Sequence, residues 1–396
     1  MKRYDAIVIG AGPAGSTTAH RLAEAGASVL LVDRARFPRD KPCGGGLTWR
    51  AVRELPCSVD PVVEDVVDRF EFELDYRHGF QRQSPVPLVL MTQRRRLDAF
   101  LAERAAERGA DFRDGVKVED VDAGGLGVRL KVGCDRVAGE TLVGADGANG
   151  ITARSVGLAG DHDYGVAIEG NVAYDYVPRD RYAGRVLVEL GAVPGGYAWI
   201  FPKRDHVNVG VGGWRREGPR LREHLTRLCA ERGIAEEQVK GLRGHRLPMR
   251  GAKATLASPR ALLVGDAAGL VDPLSGDGMY EAFVSARLAA GSILDLLSGR
   301  ASGLEVYGTA ITSALAPLTS ASWGVKLAFD RFPRLAYAVA RTPLVWGVVD
   351  GLLRGDIGHP AAARGIVRAP LKLLEGLARA AGDPGRPFRE AEAGAR

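Results

Sequence analysis

The residues that could do chemistry fall in a few short stretches. The first is Gly10-Ala11-Gly12-Pro13-Ala14-Gly15, between the apolar run Asp5 to Ile9 and the small-residue stretch Ser16 to Ala25. Glycines at this spacing between a strand and a helix make a tight turn, bring backbone close to a pyrophosphate and let the helix pack on the strand. The helix N-terminus then faces the phosphates. Asp33, with Arg34 beside it, closes the next apolar run, Ser28 to Val32, where a carboxylate can accept hydrogen bonds from a ribose. Late in the chain a second apolar run, Ala261 to Val264, meets Gly265-Asp266-Ala267-Ala268-Gly269.

Gly10 and Gly265 are separated by 255 positions. Both turns are explained if one nucleotide-binding domain is split by a long insertion, so that the late turn lies beside the first. Asp266 can then hold a ribityl hydroxyl while the backbone after it faces phosphate, an organisation that points to FAD. Between them, Thr141 to Asp146-Gly147 reads as another strand and turn, and Arg94 opens a helical stretch to Arg108. A cation in the first turn of a helix opposes the helix dipole. Arg94 is therefore either held there by a diphosphate or simply solvated. Residues 66–92, 112–145 and 164–214 show strand-like alternation, Leu221 to Arg232 and Asp277 to Leu297 read as helices, and the chain is mostly helical from Leu304.

The expected fold is α/β with a sheet-rich second domain. A discontinuous Rossmann-like FAD-binding domain takes residues 1–60, 95–160 and 255–300. A substrate domain takes 61–94 and 161–254, C-terminal helices take 301–381, and 382–396 is a flexible tail.

Composition sets the outer bounds. The 396 residues are 46% hydrophobic and 26% charged, which is globular usage. The net charge of +6 comes from 54 basic and 48 acidic residues interspersed along most of the chain, so no basic tract supports a nucleic-acid partner. Cys43, Cys57, Cys134 and Cys229 have neither disulfide-framework nor metal-ligand spacing. No 18-residue apolar stretch exists, so the expectation is a cytoplasmic protein, soluble or peripheral to a membrane.

The glycine and acid turns together resemble the flavoprotein hydroxylase superfamily over most of the chain, which implies an FAD domain of the p-hydroxybenzoate hydroxylase type. Pro42-Cys43-Gly44-Gly45-Gly46, Tyr197-Ala198-Trp199-Ile200-Phe201-Pro202-Lys203 and Pro273-Leu274-Ser275-Gly276-Asp277-Gly278 narrow the resemblance to the geranylgeranyl reductase family. Asp277, Met279 and Gly150 depart from the usual residues at their positions. The resemblance implies a reductase that saturates isolated double bonds of a hydrophobic isoprenoid chain. Its cofactor contacts would come from Gly10, Gly12, Ala14, Gly15, Asp33, Arg34, Cys43, Gly44, Gly45, Arg94, Asp146, Gly147, Gly265, Asp266, Pro273, Gly276, Asp277, Gly278 and Met279. Cys43 is the first candidate for an acid or gate; the alternative is an inert small hydrophobe. Tyr197, Trp199 and Phe201 share one face of a strand and wall a substrate slot or fill ordinary core, the first two being candidates for catalysis. Lys203 holds an anionic head group or caps the strand.

With no second complete glycine fingerprint, electrons would come from transiently bound NADPH or NADH or from a separate reductase protein. Phe329, Phe332, Tyr337 and Trp346 among Arg331, Arg334 and Arg341 suit helices that cover the slot and touch a membrane, or helices simply docked on the FAD domain. A monooxygenase or halogenase on the same fold, and a flavin-free prenyl-binding escort protein, are the competing readings.

Overall fold

A continuous apolar run has no polar face to offer water and must lie inside a sheet. Lys2–Ile9 is such a strand, with Ala6, Ile7 and Val8 fully buried. A computed structural model describes residues 1–382 of the protein except 126, 159, 161, 252 and 253; the expected flexible tail lies outside the described residues from 383 onward.

Lys2–Ile9 runs parallel to Val29–Val32 on one edge and to Asp135–Gly144 on the other, and Asp111–Arg113 extends the sheet beyond Val29–Val32. Asp135–Gly144 is the hub. Its far edge pairs first with the antiparallel strand Val128–Val132 and then with the parallel strand Ala261–Leu263, and Val118–Asp122 completes the sheet. The strands leading to Gly10 and Gly265 therefore flank one common strand. Because all three are parallel, their turns open at the same end of the sheet, where α/β folds bind ligands. The helix Pro13–Glu24 packs between Arg94–Glu107 and Met279–Leu297, and the alanines Ala19, Ala102, Ala105 and Ala289 of these helices are fully buried in the same core as the sheet.

The second sheet has the order Lys240–Arg250, His162–Ala173, His206–Trp214, Tyr197–Pro202, Arg185–Leu190, Arg69–Leu74, His78–Gln83. It is antiparallel except where Arg185–Leu190 meets Arg69–Leu74. One face packs against the helix Leu221–Glu231 through Leu225 and Leu228; the other faces the first sheet's turns. A third, small sheet was not anticipated: Gly46–Thr48 pairs with Val89–Thr92, which pairs with Val63–Val67. Gly46–Thr48 is too short to display alternation, so the glycine-rich segment before it reads as loop throughout.

The helix expected from Asp277 begins at Met279, because the Asp277 carboxylate accepts the Met279 N–H at 3.0 Å and bends the chain first. Beyond it, Val306–Arg331 is tied to the first sheet by the fully buried Tyr307, whose hydroxyl donates to the Leu263 carbonyl at 2.8 Å. Pro333–Ala340 and Pro343–Arg354 each start on a proline, which presets the first helical turn, and Arg368–Ala381 follows. Among the described residues no helix is long and apolar enough to cross a membrane.

Leu142, fully buried on the hub strand, tests this arrangement. Leu142→Ala should destabilise the protein by about 2–5 kcal/mol, read as a lower urea midpoint with an unchanged slope.

Candidate active site

At the first turn Gly10 has φ +105°, and a Cβ there would lie 2.3 Å from the Ala145 carbonyl oxygen. A Cβ on Gly15 would lie 1.9 Å from the Gly10 carbonyl oxygen, so Gly15 supports the turn from below and does not line the cavity in front of it. Asp33 braces the same turn, accepting the Ala11 and Ala35 N–H groups at 2.9 Å each, one on each oxygen. Each carboxylate oxygen keeps a further lone pair for a hydroxyl.

Arg94 is 6% exposed and clasps the fully buried Asp98 one helical turn on, at 2.7 and 2.8 Å. This pair, rather than solvation, offsets the unfavourable start of the helix. Arg39 reaches the same carboxylate at 2.6 Å. Both guanidinium groups face the open side of Gly12. Two cations sharing one anion leave a net positive charge at a turn with exposed backbone, which suits a diphosphate. Burial works against the Arg94 charge, but Asp98 prevails and raises its pKa.

Asp266 receives the Lys41 ammonium at 2.9 Å and faces His245 Nε2 at 3.4 Å. Burial would raise its pKa, yet these two partners hold it well below the usual carboxylate range. Asp146 caps the short helix Thr152–Ser155, accepting from Ile151 N–H, Thr152 N–H and the Thr152 hydroxyl through Oδ2. Its Oδ1 is buried without a hydrogen-bond partner. A Cβ on Gly150 would lie 2.2 Å from the Asp146 carboxyl carbon, so the bare glycine makes room for this carboxylate. The segment 272–279 is folded by Asp272, which accepts from Leu274 N–H, Ser275 N–H and the Ser275 hydroxyl. An orphaned acceptor, two arginines at a glycine turn and backbone folded close to the cavity are the features FAD requires, and the residues present fit it.

The glycine loop is held by hydrogen bonds at both Gly44 and Gly45. Lys203 is 2% exposed, and its ammonium donates to the carbonyls of Gly44 at 2.6 Å and Thr92 at 2.9 Å. Thr92 returns its N–H and hydroxyl to the Gly45 carbonyl at 2.7 and 3.0 Å. Gly45 takes φ +72°, and a Cβ there would lie 2.1 Å from the Thr92 carbonyl oxygen. Cys43 donates its N–H to Glu169 at 2.7 Å, while its sulfur accepts the Gly45 N–H at 3.3 Å. Burial pushes the Cys43 thiol up, with Arg94 opposing. Lys203, expected to hold an anionic head group or cap the strand, does not line the cavity, and two of its three N–H donors go to backbone carbonyls. Burial lowers its pKa to about 8.

A single cavity of about 1620 Å3 joins these features. One ligand site typically takes ~300–1,000 Å3, so this one has room for a dinucleotide and a second molecule. Of the expected cofactor residues only Gly15 is set back; Gly10, Gly12, Ala14, Asp33, Arg34, Cys43, Gly44, Gly45, Arg94, Asp146, Gly147, Gly265, Asp266, Pro273, Gly276, Asp277, Gly278 and Met279 all line it. Tyr197, Trp199 and Phe201 line it from the second sheet. The Tyr197 hydroxyl donates to the Ser275 carbonyl, and the Trp199 N–H to Asn208 at 2.8 Å, so neither polar tip is idle. Phe329, Tyr337 and Trp346 also line the cavity, whereas Arg331, Arg334 and Arg341 point to solvent.

Sequence reading missed Arg39, Lys41, Asp98, Glu169 and His245. Asp98, four residues after Arg94, was recoverable from helical spacing. Glu169 carries no local signal, since only the pairing of distant strands brings it to Cys43.

A parallel sheet with adjoining glycine turns, a cationic phosphate cradle and space for two ligands defines a dinucleotide-dependent redox protein. The chain belongs to the FAD binding domain family, whose model matches residues 3–313, and within it to the geranylgeranyl reductase-like FAD-dependent oxidoreductases. It is 35% identical over 315 residues to the menaquinone reductase of Mycolicibacterium smegmatis, covering 73% of this chain and 76% of that one. It is 30% identical over 313 residues to the geranylgeranyl diphosphate reductase of Synechocystis, covering 72% and 74%. Among solved structures it superposes on a geranylgeranyl bacteriochlorophyll reductase-like protein from Thermoplasma acidophilum with TM-score 0.81 at 23% identity, over 95% of this chain and 100% of that one. The flavin-dependent brominase Bmp2 shares the fold with TM-score 0.76 at 20% identity, over 96% and 100%.

Arg39→Ala should weaken FAD binding about 10- to 100-fold, the range of one charge-assisted hydrogen bond, as measured by quenching of flavin fluorescence on titration. Lys203→Met should raise the alkylation rate of Cys43 by iodoacetamide roughly five- to tenfold, the equivalent of about one net hydrogen bond, with unchanged rates at Cys57 and Cys134.

Proposed function

We propose that the protein saturates isolated double bonds in a geranylgeranyl-type isoprenoid chain, carried by a lipid, quinone, diphosphate or specialised metabolite. The observation that carries this reading is one row across the second sheet, in register: Glu169, Gly210, Trp199, Val188, Phe72 and Phe80. At about 4.8 Å per strand the row is roughly 24 Å long, enough for several isoprene units. It begins beside the cysteine loop and becomes wholly apolar. Trp346 packs over Phe70 at 5.4 Å between ring centroids and Tyr337 over Phe80 at 5.4 Å, so the C-terminal helices roof its far end.

FAD, held by the glycine turns, Asp33, Arg34, Arg39, Arg94, Asp146 and the segment 265–279, supplies two electrons and a hydrogen when reduced. The chain's own contribution is a dry floor, because an isolated alkene accepts such a pair only with water excluded and a proton delivered to its other carbon. Tyr197, Trp199 and Phe201 shape that floor, and Cys43 stands at the end that Glu169 opens. The backbone amides of Gly276 to Met279 suit the negative charge of a reduced ring. Electrons enter from NADPH, NADH or a separate reductase protein. The domain division that serves this chemistry is 1–60, 95–160 and 255–300 for the cofactor and 61–94 and 161–254 for the substrate, with Gly46–Thr48 bridging the two. Peripheral membrane contact through the exposed arginines of the C-terminal helices would bring such a substrate to the slot.

Anaerobic stopped-flow of dithionite-reduced enzyme against prenylated and aromatic compounds tests the reading. Prenyl compounds should reoxidise the flavin without oxygen, and Cys43→Ala should slow this step while FAD binding persists. Oxygen-dependent hydroxylation or halogenation of an aromatic, with no prenyl compound turned over, would replace the reading with an oxygenase or halogenase.

A further inference from the structure

Resting on that reading, we propose that Glu169 is the acid that protonates the alkene, and that it holds the cysteine loop against the substrate floor while doing so. The saturation needs a proton at one carbon, and few cavity groups can give one. The Tyr197 hydroxyl is committed to the Ser275 carbonyl. Asp266 is ion-paired with Lys41 and near His245. Asp277, which accepts the Met279 N–H, belongs to the segment 272–279 and not to the second sheet. Glu169 differs from all three. It lines the cavity, opens the row that runs through Trp199 to Phe80, and accepts the Cys43 N–H through Oε1 at 2.7 Å as well as a hydrogen bond from the Asn208 side chain.

Its surroundings on balance favour the protonated form. Burial raises the Glu169 pKa above its ordinary value of 4.5. Lys203, the Asn208 side chain and the Cys43 N–H favour the charged form, Asp40 opposes it, and burial prevails. Arg243, opposite Glu169 on the neighbouring strand, is paired with Asp40 at 2.7 Å. Cys43 itself is half-buried, and the desolvation of its thiol pushes the pKa up. Asn208 also accepts the Trp199 N–H and donates to Asn171 at 3.0 Å, which fixes the carboxyl relative to the aromatic floor.

The step balances as follows. The π pair of the alkene forms a C–H bond with the Glu169 proton as the O–H bond breaks, leaving a carboxylate. The other carbon takes an electron pair with its hydrogen from the reduced flavin, and solvent returns a proton to Glu169 after product leaves. A half-buried carboxyl beside an apolar slot is placed as a general acid is, a role worth ~10²–10⁴-fold.

Glu169→Gln retains an acceptor for the Cys43 N–H and removes only the proton. In this variant FAD affinity and Cys43 alkylation should stay within twofold of wild type, while prenyl-dependent flavin reoxidation falls about 100-fold or more. Two readouts need no turnover. The infrared C=O band of the Glu169 carboxyl should titrate at a higher pH than that of an ordinary glutamate in wild-type protein and be missing in Glu169→Gln. Because the folded state keeps a proton that the unfolded chain loses near pH 4.5, wild type should also lose stability, relative to the variant, as pH rises from there to the raised value. Full prenyl reduction by Glu169→Gln, or absence of a band with that raised titration, overturns the proposal. If the band titrates so but wild type reduces no prenyl compound, the functional reading fails, and the acid role assigned here falls with it.

Discussion

A buried ammonium governs the geometry of the site. Lys203 ends the aromatic strand, and its hydrogen bonds reach the cysteine loop at Gly44 and the end of Val89–Thr92, two residues before Arg94 opens its helix. Through one nitrogen atom the aromatic strand, the cysteine loop and the strand that leads to Arg94 are set relative to one another. A cation out of water is costly unless its donors are met, so each carbonyl that turns away leaves a penalty that restores the arrangement. The glycines of the loop follow from this. Gly45 approaches Thr92 and Lys203 too closely for a side chain, and a Cβ on Gly44 would lie 2.8 Å from the Phe201 ring.

Positive charge at the cofactor turns is metered in a similar way. Asp98 takes both Arg39 and Arg94, and Asp266 takes Lys41 and faces His245. In each cluster one carboxylate is paired with two basic side chains, Asp98 fully buried and Asp266 partly so, which holds those side chains in place without cancelling their charge. The guanidinium groups beside Gly12 are thus already oriented, which lowers the ordering entropy that binding of an anion there would cost.

Much of this was legible in the sequence because the signals are local. The turn at Gly10, the acid at Asp33, the return strand before Gly265 and the period-two aromatics all sit within windows of a few residues. The insertion could be recognised since an apolar parallel strand at 261–263 needs neighbours that only the distant N-terminal strand and its partners provide. What stayed hidden depends on pairing between remote segments. Lys203 follows an aromatic strand and has the look of a head-group ligand until the loop at 44 is brought over it. Arg39 and Lys41 sit in a segment whose Pro and Gly content marks only irregular backbone. Phe70, Phe72 and Phe80 read as ordinary alternation, and their place on the cavity face is set by the parallel pairing with Arg185–Leu190, which no pattern in either strand announces.

The aromatic strand also shows why fold and chemistry constrain each other here. A one-residue slip of Tyr197–Pro202 would put Ala198 and Ile200 on the floor and drive Tyr197, Trp199 and Phe201 into the core packed on Leu225 and Leu228. Hydrophobicity alone resists this weakly, since both faces of the strand are apolar. Shape resists it more. Gly210 lies directly opposite Trp199, and a Cβ there would stand 2.2 Å from the indole, so the ring rests over bare backbone in this register alone. The indole N–H then meets Asn208 on the same strand. A missing side chain and one hydrogen bond thus hold the register, and with it the floor's polar start at Glu169 and its apolar run to Phe80.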